Sequence, residues 1–153
     1  MANEAYRAVF LRVHPTGKMV LSLTTDSDGK EPEYAQQVAH QLGVPPLDVK
    51  VVPADTDRFG TGHGYNTSPS AGTPAAIERA TGKIKDKAQL LAGMQLGAAA
   101  DTLTWSNGAW VEGDGSDPAK AATIADIALY AHGTGPLPPG VEGGLDAQAV
   151  YSD

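Results

Sequence analysis

The segment from residue 51 to residue 74 has the residue types and spacing best suited to binding chemistry. Gly60, Gly62 and Gly64 alternate along it, and four hydroxyl side chains follow: Thr67, Ser68, Ser70 and Thr73. Glycine has no Cβ, so its backbone N–H groups can approach a ligand closely. A helix predicted to begin at the end of the segment would add the partial positive charge of its N-terminus. The segment therefore predicts an anion-binding loop; the alternative is a solvated surface loop.

Other chemistries fit this segment less well. No Gly-Lys-Ser/Thr follows at Walker spacing, and the third glycine is misplaced for a Gly-x-Gly-x-x-Gly fingerprint. Asp55, Asp57 and His63 lack the remaining positions of an EF-hand loop or a closed zinc site. Ser68 or Ser70 could act as a nucleophile only if a histidine from another element reached it. We therefore predict no metal ligands and no catalytic residues, and an independent hydrolase or metal enzyme is a third, less favoured reading.

Hydrophobic periodicity predicts the elements that precede this loop. Residues 7–13 and 19–23 alternate with period two around a Pro/Gly turn, which is typical of a β-hairpin. Residues 32–42 have apolar positions at helical spacing, and Gly43 follows them. Residues 48–52 predict a short β-branched strand. The loop itself, residues 53–72, exceeds the length of about 12–15 residues beyond which structureless loops are usually functional or disordered.

The second half of the chain predicts a long helix, a hairpin and a short helix. Thr73 and Pro74 resemble an N-cap followed by proline at the first helical position, and apolar spacing continues to Gln95. Asn107-Gly108 between two apolar runs favours a hairpin turn, and residues 123–126 resemble a capping box. The element order predicts an α+β fold, a two-layer domain with a mixed sheet and helices on one face. We predict one domain over 1–136 and an extended Pro/Gly-rich docking tail over 137–153.

Length and composition restrict the class of protein. The 153 residues suit one domain, and 18 acidic against 11 basic residues give a net charge of −7. That charge disfavours nucleic acid and anionic membranes as partners. Without cysteine, the chain cannot supply disulfides, thiol catalysis or iron–sulfur ligands. It shows neither a signal-peptide pattern nor a long apolar run, so we expect a cytoplasmic protein. Its few aromatic residues indicate a thin core that needs a neighbour.

Several motifs in one order resemble the molybdenum hydroxylases, the family of xanthine dehydrogenase and aerobic carbon monoxide dehydrogenase. The Asp55-Thr56-Asp57 triplet, the glycine stretch and Thr67-Ser68-Pro69-Ser70 resemble the family's pterin-contacting segment. Three flanking stretches, at 14–18, 42–49 and 137–147, also resemble family sequences. The likeness covers nearly the whole chain.

The resemblance implies a segment or split subunit of the family's molybdopterin-binding large subunit. Molybdopterin, often as the cytosine dinucleotide, would be shared with partner chains and would lie near Gly62, Gly64, Thr67, Ser68, Ser70 and Thr73. FAD and iron–sulfur clusters would belong to the flavin and iron–sulfur partner subunits. The reaction would be oxidative hydroxylation with water as the oxygen source. The family's glutamate base lies in a region absent here, so the isolated chain is expected to be inactive.

Two departures from the family pattern support an alternative. The family often has Gly-Gln-Gly before the first helix, whereas this chain has Ser27-Asp28-Gly29-Lys30-Glu31. Pro69 stands in the place of a common arginine, which removes a cation able to pair with an anion. The alternative is a non-catalytic structural or interaction subunit of such a complex that has lost its cofactor contacts.

Overall fold

The structure, a computed structural model, describes residues 8–25, 29–53, 72–114 and 116–150. The helices of this part of the chain are α1 (Glu31–Leu42), α2 (Thr73–Leu96) and α3 (Ile124–Ala131). Its strands are β1 (Ala8–Val13), β2 (Met19–Leu23), β3 (Val49–Val52), β4 (Thr104–Ser106), β5 (Ala109–Val111), β6 (Ala121–Thr123) and β7 (Asp146–Val150). None of these helices is both long and apolar enough to cross a membrane.

A four-stranded sheet in the order β3-β2-β1-β7 forms one layer of the molecule. Strand β1 is antiparallel to β2 and β7, and β2 is parallel to β3, so the sheet is mixed. Alternate residues of β1 and β2 are buried in the core with α1 and α2: Val9, Leu11, Val13, Met19, Leu21 and Leu23. Period-two burial follows from the pleat, which sends successive side chains to opposite faces. The predicted α+β fold, a mixed sheet with helices packed on it, is confirmed.

A second, three-stranded antiparallel sheet has the order β4-β5-β6. The predicted Asn107-Gly108 turn joins β4 to β5, with φ angles of 51° and 80° at the two residues. Both lie in the left-handed region that a two-residue hairpin turn of this type requires. Trp105 and Trp110 pair across the hairpin with ring centroids 5.5 Å apart, and Trp110 Nε1 donates to the Lys85 carbonyl of α2 at 3.1 Å. The hairpin is thereby fastened to the long helix.

Strand β7 was not predicted from the sequence, which indicated an extended Pro/Gly-rich tail from residue 137. Residues 146–150 instead pair along β1, and Leu145 and Ala149 are buried in the core. Asp-Ala-Gln-Ala-Val has a weak strand composition, so its alternating small residues gave little signal. The segment therefore belongs to the main sheet. The division of the chain at residue 136 stays a prediction. That the same segment also docks onto another chain stays a prediction.

Candidate functional site

The predicted cofactor site can be described at one of its ends. Five of its six residues lie outside the described part of the chain: Gly62, Gly64, Thr67, Ser68 and Ser70. The carboxylates and histidine weighed as metal ligands, Asp55, Asp57 and His63, lie outside it too. Thr73 is described, and it opens α2. The geometry of the site is therefore built from the beginning of this helix.

The first turn of α2 has the character of an anion-accepting helix start. Gly72 is the N-cap, and the Ala76 N–H donates to its carbonyl at 3.1 Å. Helix α2 thus begins one residue before the predicted start, with Thr73 as its first helical residue rather than its N-cap. The 24-residue helix has no acidic side chain in its first turn. Nothing acidic there offsets the partial positive charge, roughly half an elementary charge, that aligned peptide dipoles place at a helix N-terminus.

Burial limits how Thr73 could serve a ligand. Its side chain is fully buried, whereas Gly72 beside it is partly exposed. At the described end of the predicted loop, the Thr73 side chain is therefore not accessible, and the feature relevant to an anion is the partial positive charge of the helix start.

Helix α1 fixes the position of this helix start. Gln37 Nε2 donates to the Pro74 carbonyl at 2.8 Å, in the first turn of α2. Two turns further on, the buried Thr81 hydroxyl contacts Gln41 Oε1 and lies 2.9 Å from the Glu78 carbonyl. Gln37 and Gln41 are four residues apart and so lie on the same side of α1. Sequence reasoning missed both; the only available signal was a pair of polar residues at this spacing beside the apolar stripe.

Small side chains complete the support of α2. Its buried stripe includes four alanines, Ala76, Ala80, Ala88 and Ala92, together with Ile77, Ile84 and Leu91. Alanine adds little volume, so the backbone of α2 can approach its neighbours closely while the larger residues fill the core. This packing extends to Ala76 and Ile77 in the first two turns, so the start of α2 is part of the buried core.

The N-terminus of α1 has the opposite electrostatic character. Its N-cap is Lys30, with no side-chain capping hydrogen bond, and Glu31 and Glu33 lie in its first turn. Carboxylates at this position interact favourably with the helix dipole and oppose the approach of another anion. Residues 27–31 replace the Gly-Gln-Gly that is common in the family. Residues 27 and 28 of this stretch lie outside the described part of the chain.

Other candidate chemistry has structural explanations in the described regions. Within them, no group of three or more His, Asp or Glu residues could hold a metal ion. His132 Nε2 lies 3.1 Å from the Val13 carbonyl, a contact that joins the end of α3 to β1. Hydrogen bonds from the side chain and backbone of Ser116 lower the pKa of Asp114, which is fully exposed in a surface turn. These residues stabilise local structure rather than form a reactive cluster.

The amino-acid sequence matches the molybdopterin cofactor-binding domain family over residues 1–153. The chain belongs to this family. It is 34% identical over 147 residues to the carbon monoxide dehydrogenase large chain of Afipia carboxidovorans, and 36% identical over 147 residues to that of Hydrogenophaga pseudoflava. Each comparison covers 92% of this chain and 17% of the relative, so the chain spans about a sixth of the length of these curated relatives.

Solved structures agree with the sequence comparison. The Cu,Mo-CO dehydrogenase in its carbon monoxide reduced state has a chain that superposes with a TM-score of 0.79 and 28% identity, covering 96% of this chain and 18% of that chain. A chain of reconstituted CO dehydrogenase from Oligotropha carboxidovorans superposes with a TM-score of 0.79 and 30% identity, again covering 96% of this chain and 18% of that chain. A chain of quinoline 2-oxidoreductase from Pseudomonas putida 86 superposes with a TM-score of 0.72 and 27% identity, covering 96% of this chain and 19% of that chain.

Proposed function

We propose that this chain is a small subunit or segment of a multi-subunit molybdenum hydroxylase and forms part of its molybdopterin pocket. The supporting observation is that sequence and fold match the same class of protein along the chain: the family covers residues 1–153, and 96% of the chain superposes on a CO dehydrogenase chain. The match includes the segment between β3 and α2 that carries the predicted cofactor-binding residues.

The proposed contribution of this chain is to bind and orient the cofactor. Gly62 and Gly64 would allow backbone approach, and the hydroxyls of Thr67, Ser68 and Ser70 would donate hydrogen bonds. Thr73, whose side chain is buried, would contribute through its place at the start of α2. The described end of this segment fits an anionic cofactor such as the cytosine dinucleotide form, because the first turn of α2 has no acidic side chain. When bound, molybdopterin supplies the metal-centred redox chemistry for hydroxylation with water as the oxygen source. No residue of this chain is assigned a catalytic role.

The proposal includes partner chains. The remaining molybdopterin-binding subunit would close the pocket, and flavin and iron–sulfur subunits would hold FAD and the clusters. A chain without cysteine supplies no thiolate for a cluster. We infer that the complex is cytoplasmic and that the isolated chain does not turn over substrate.

The test is the cofactor content of the native assembled protein. A Ser68→Ala/Ser70→Ala double variant is expected to lower molybdenum per complex and the fluorescence of the released pterin by about tenfold, the effect of losing about 1.4 kcal/mol of binding. Thr104→Ala, which removes an exposed hydroxyl from β4, is the matched control and should leave both unchanged. Wild-type protein that assembles with no molybdenum or pterin would refute the proposal.

A second candidate function is a non-catalytic structural subunit of such a complex. It is favoured by Glu31 and Glu33 at the start of α1, which would repel an anionic cofactor, and by Pro69 in place of the family's arginine. Unchanged pterin content in the Ser68→Ala/Ser70→Ala complex would favour this function over the first.

A further inference from the structure

The two faces of the four-stranded sheet differ in what covers them. One face lies in the core with the helices, whereas the side chains of the outer face are exposed or half-buried, except for Ala8 at its end, which is fully buried. Four apolar residues on that outer face retain exposure: Phe10 and Val150 are 37% and 52% exposed, and Val20 and Val52 are half-buried. An apolar group of this kind on an open sheet face is typical of an interaction surface.

The strand register arranges the outer face in two adjoining rows. One row runs Val52, Ser22, Phe10, Gln148 across the four strands, and the next runs Lys50, Val20, Arg12, Asp146. The first row is mainly apolar or uncharged. In the second, Arg12 pairs with Asp146 at 3.6 Å, while Lys50 has no ion-pair partner in the described part of the chain. The face thus has an uncharged row, which includes Phe10 and Val52, beside a row in which Lys50 has no ion-pair partner among the described residues.

An open groove lies along the β1–β7 side of this face. Its volume is about 310 Å³, and its lining includes Phe10, Arg12, Asp146 and Gln148. The apolar ring of Phe10 therefore borders a concave surface rather than a flat one. Buried aromatic anchors in such recesses supply much of the binding energy at protein interfaces.

Basic side chains of α2 cover the outer edge of β7. Arg79 and Lys83, four residues apart on α2, donate to the Val150 and Gln148 carbonyls at 2.5 Å and 2.7 Å. Basic side chains over an edge strand are a known means of preventing edge-to-edge pairing. A partner of this sheet would therefore bind through the outer face and not by extending the sheet at β7.

We propose that this outer face is the surface on which the remainder of the molybdopterin-binding subunit docks. The inference rests on the proposed function. Its occupant follows from length, because the matching segment is only 17–18% of the large chains that share its sequence and fold. Ala8 and Val150 are paired neighbours, so the described strands β1 and β7 begin and end at the same end of the sheet. The docking partner presents apolar groups to Phe10 and a carboxylate to Lys50.

Hydroxyl-radical footprinting tests the surface directly. The 153-residue chain alone is compared with the native assembled protein, and oxidation of Phe10 and Val150 is measured by mass spectrometry. We expect oxidation of both to fall several-fold on assembly. Assembled protein that contains pterin and the other molybdopterin-binding regions, yet leaves Phe10 equally oxidised, overturns the inference while leaving the proposed function intact. A native protein without pterin overturns both. Protection of Phe10 in a homodimer of the isolated chain overturns the inference in favour of a second copy.

A variant series supplies the energetic test. Phe10→Glu is expected to lower the yield of assembled complex at least about tenfold, as loss of a central aromatic anchor does, and Lys50→Glu to lower it less. Leu129→Glu, at a 63% exposed position on α3, is the matched control. Phe10→Ser repeats the test with a smaller change, and circular dichroism of each isolated chain verifies its fold. Normal assembly of both folded Phe10 variants, or an equal loss with Leu129→Glu, contradicts the proposal.

Discussion

Helices α1 and α2 pack side by side and end alike, but their surroundings make their termini differ. Each ends at a left-handed glycine, Gly43 with φ 71° and Gly97 with φ 69°. A Cβ added to Gly43 would lie 2.2 Å from Gly108 Cα, whereas one added to Gly97 would meet nothing within 4 Å. At their other ends, α1 has two glutamates in its first turn and α2 has no acidic residue.

The two helices share a glycine cap at the C-terminus but differ in what surrounds each terminus. The C-terminus of α1 is locked against the β4–β5 turn, and its N-terminus is offset by its own carboxylates. Helix α2 is fixed along its length, while its N-terminus adjoins the segment proposed to hold an anionic cofactor. The helix dipole is therefore offset by carboxylates in the first turn of α1, whereas the first turn of α2 has none.

The largest difference is expected from replacing the two terminal glycines by alanine. Gly43→Ala should reduce the free energy of unfolding by roughly 2–5 kcal/mol, about 1–2 from the left-handed backbone and about 1–3 from overpacking against Gly108. Gly97→Ala, the matched control, should lose only the part of the unfolding free energy that comes from the left-handed backbone, about 1–2 kcal/mol. Urea denaturation of the two isolated chains measures both values. Equal losses of unfolding free energy in the two variants would show that the close contact of Gly43 with Gly108 does not contribute to the cost of the substitution.

A smaller loss of unfolding free energy is expected from removing the buried polar contact between the two helices. Thr81→Val keeps the side-chain shape but removes the hydroxyl that reaches Gln41, which should cost about 1–3 kcal/mol. Thr102→Val, in an exposed turn where the hydroxyl contacts the Ala99 carbonyl, is the control. Thermal unfolding compares the pair; a Thr81 variant as stable as the control would mean that the contact contributes nothing.

The electrostatic contrast is tested by giving α2 the acidic start that α1 already has. Ala75 is exposed in the first turn of α2, so Ala75→Asp should raise the stability of the isolated chain by about 0.3–1 kcal/mol. If this helix start faces the pterin, the same change should lower pterin content in the assembled protein. The two readouts are expected to move in opposite directions. Unchanged pterin content would separate the helix start from the proposed pocket.

The converse change at α1 should give the smallest effect. Glu33→Gln removes one carboxylate from the first turn and should cost at most about 0.3–1 kcal/mol, an effect that salt screens. Chemical denaturation at low and high ionic strength measures it. A loss that does not diminish with salt would argue for a role of Glu33 other than interaction with the helix dipole.

Most helices and strands were predictable because their signals are local. The Thr123 capping box forms as expected, with Thr123 Oγ1 accepting from the Asp126 N–H at 3.1 Å and Asp126 Oδ2 accepting from the Thr123 N–H at 3.2 Å. Strand β6 was missed because three residues, two of them alanine, carry no period. Of the predicted cofactor site, the structure describes Thr73 alone, and its burial was not foreseeable from a hydroxyl at a helix start.

The sequence by itself determined most of the local elements, the end of α1 at Gly43 and the likeness to the molybdenum hydroxylases, because backbone preference, side-chain period and motif order are properties of the sequence alone. Tertiary structure decided that residues 146–150 pair with β1, that Gln37 and Gln41 hold the start of α2, and that Gly43 is crowded while Gly97 is not. These outcomes depend on contacts between residues far apart in sequence, whose free energy appears only when packing brings them together.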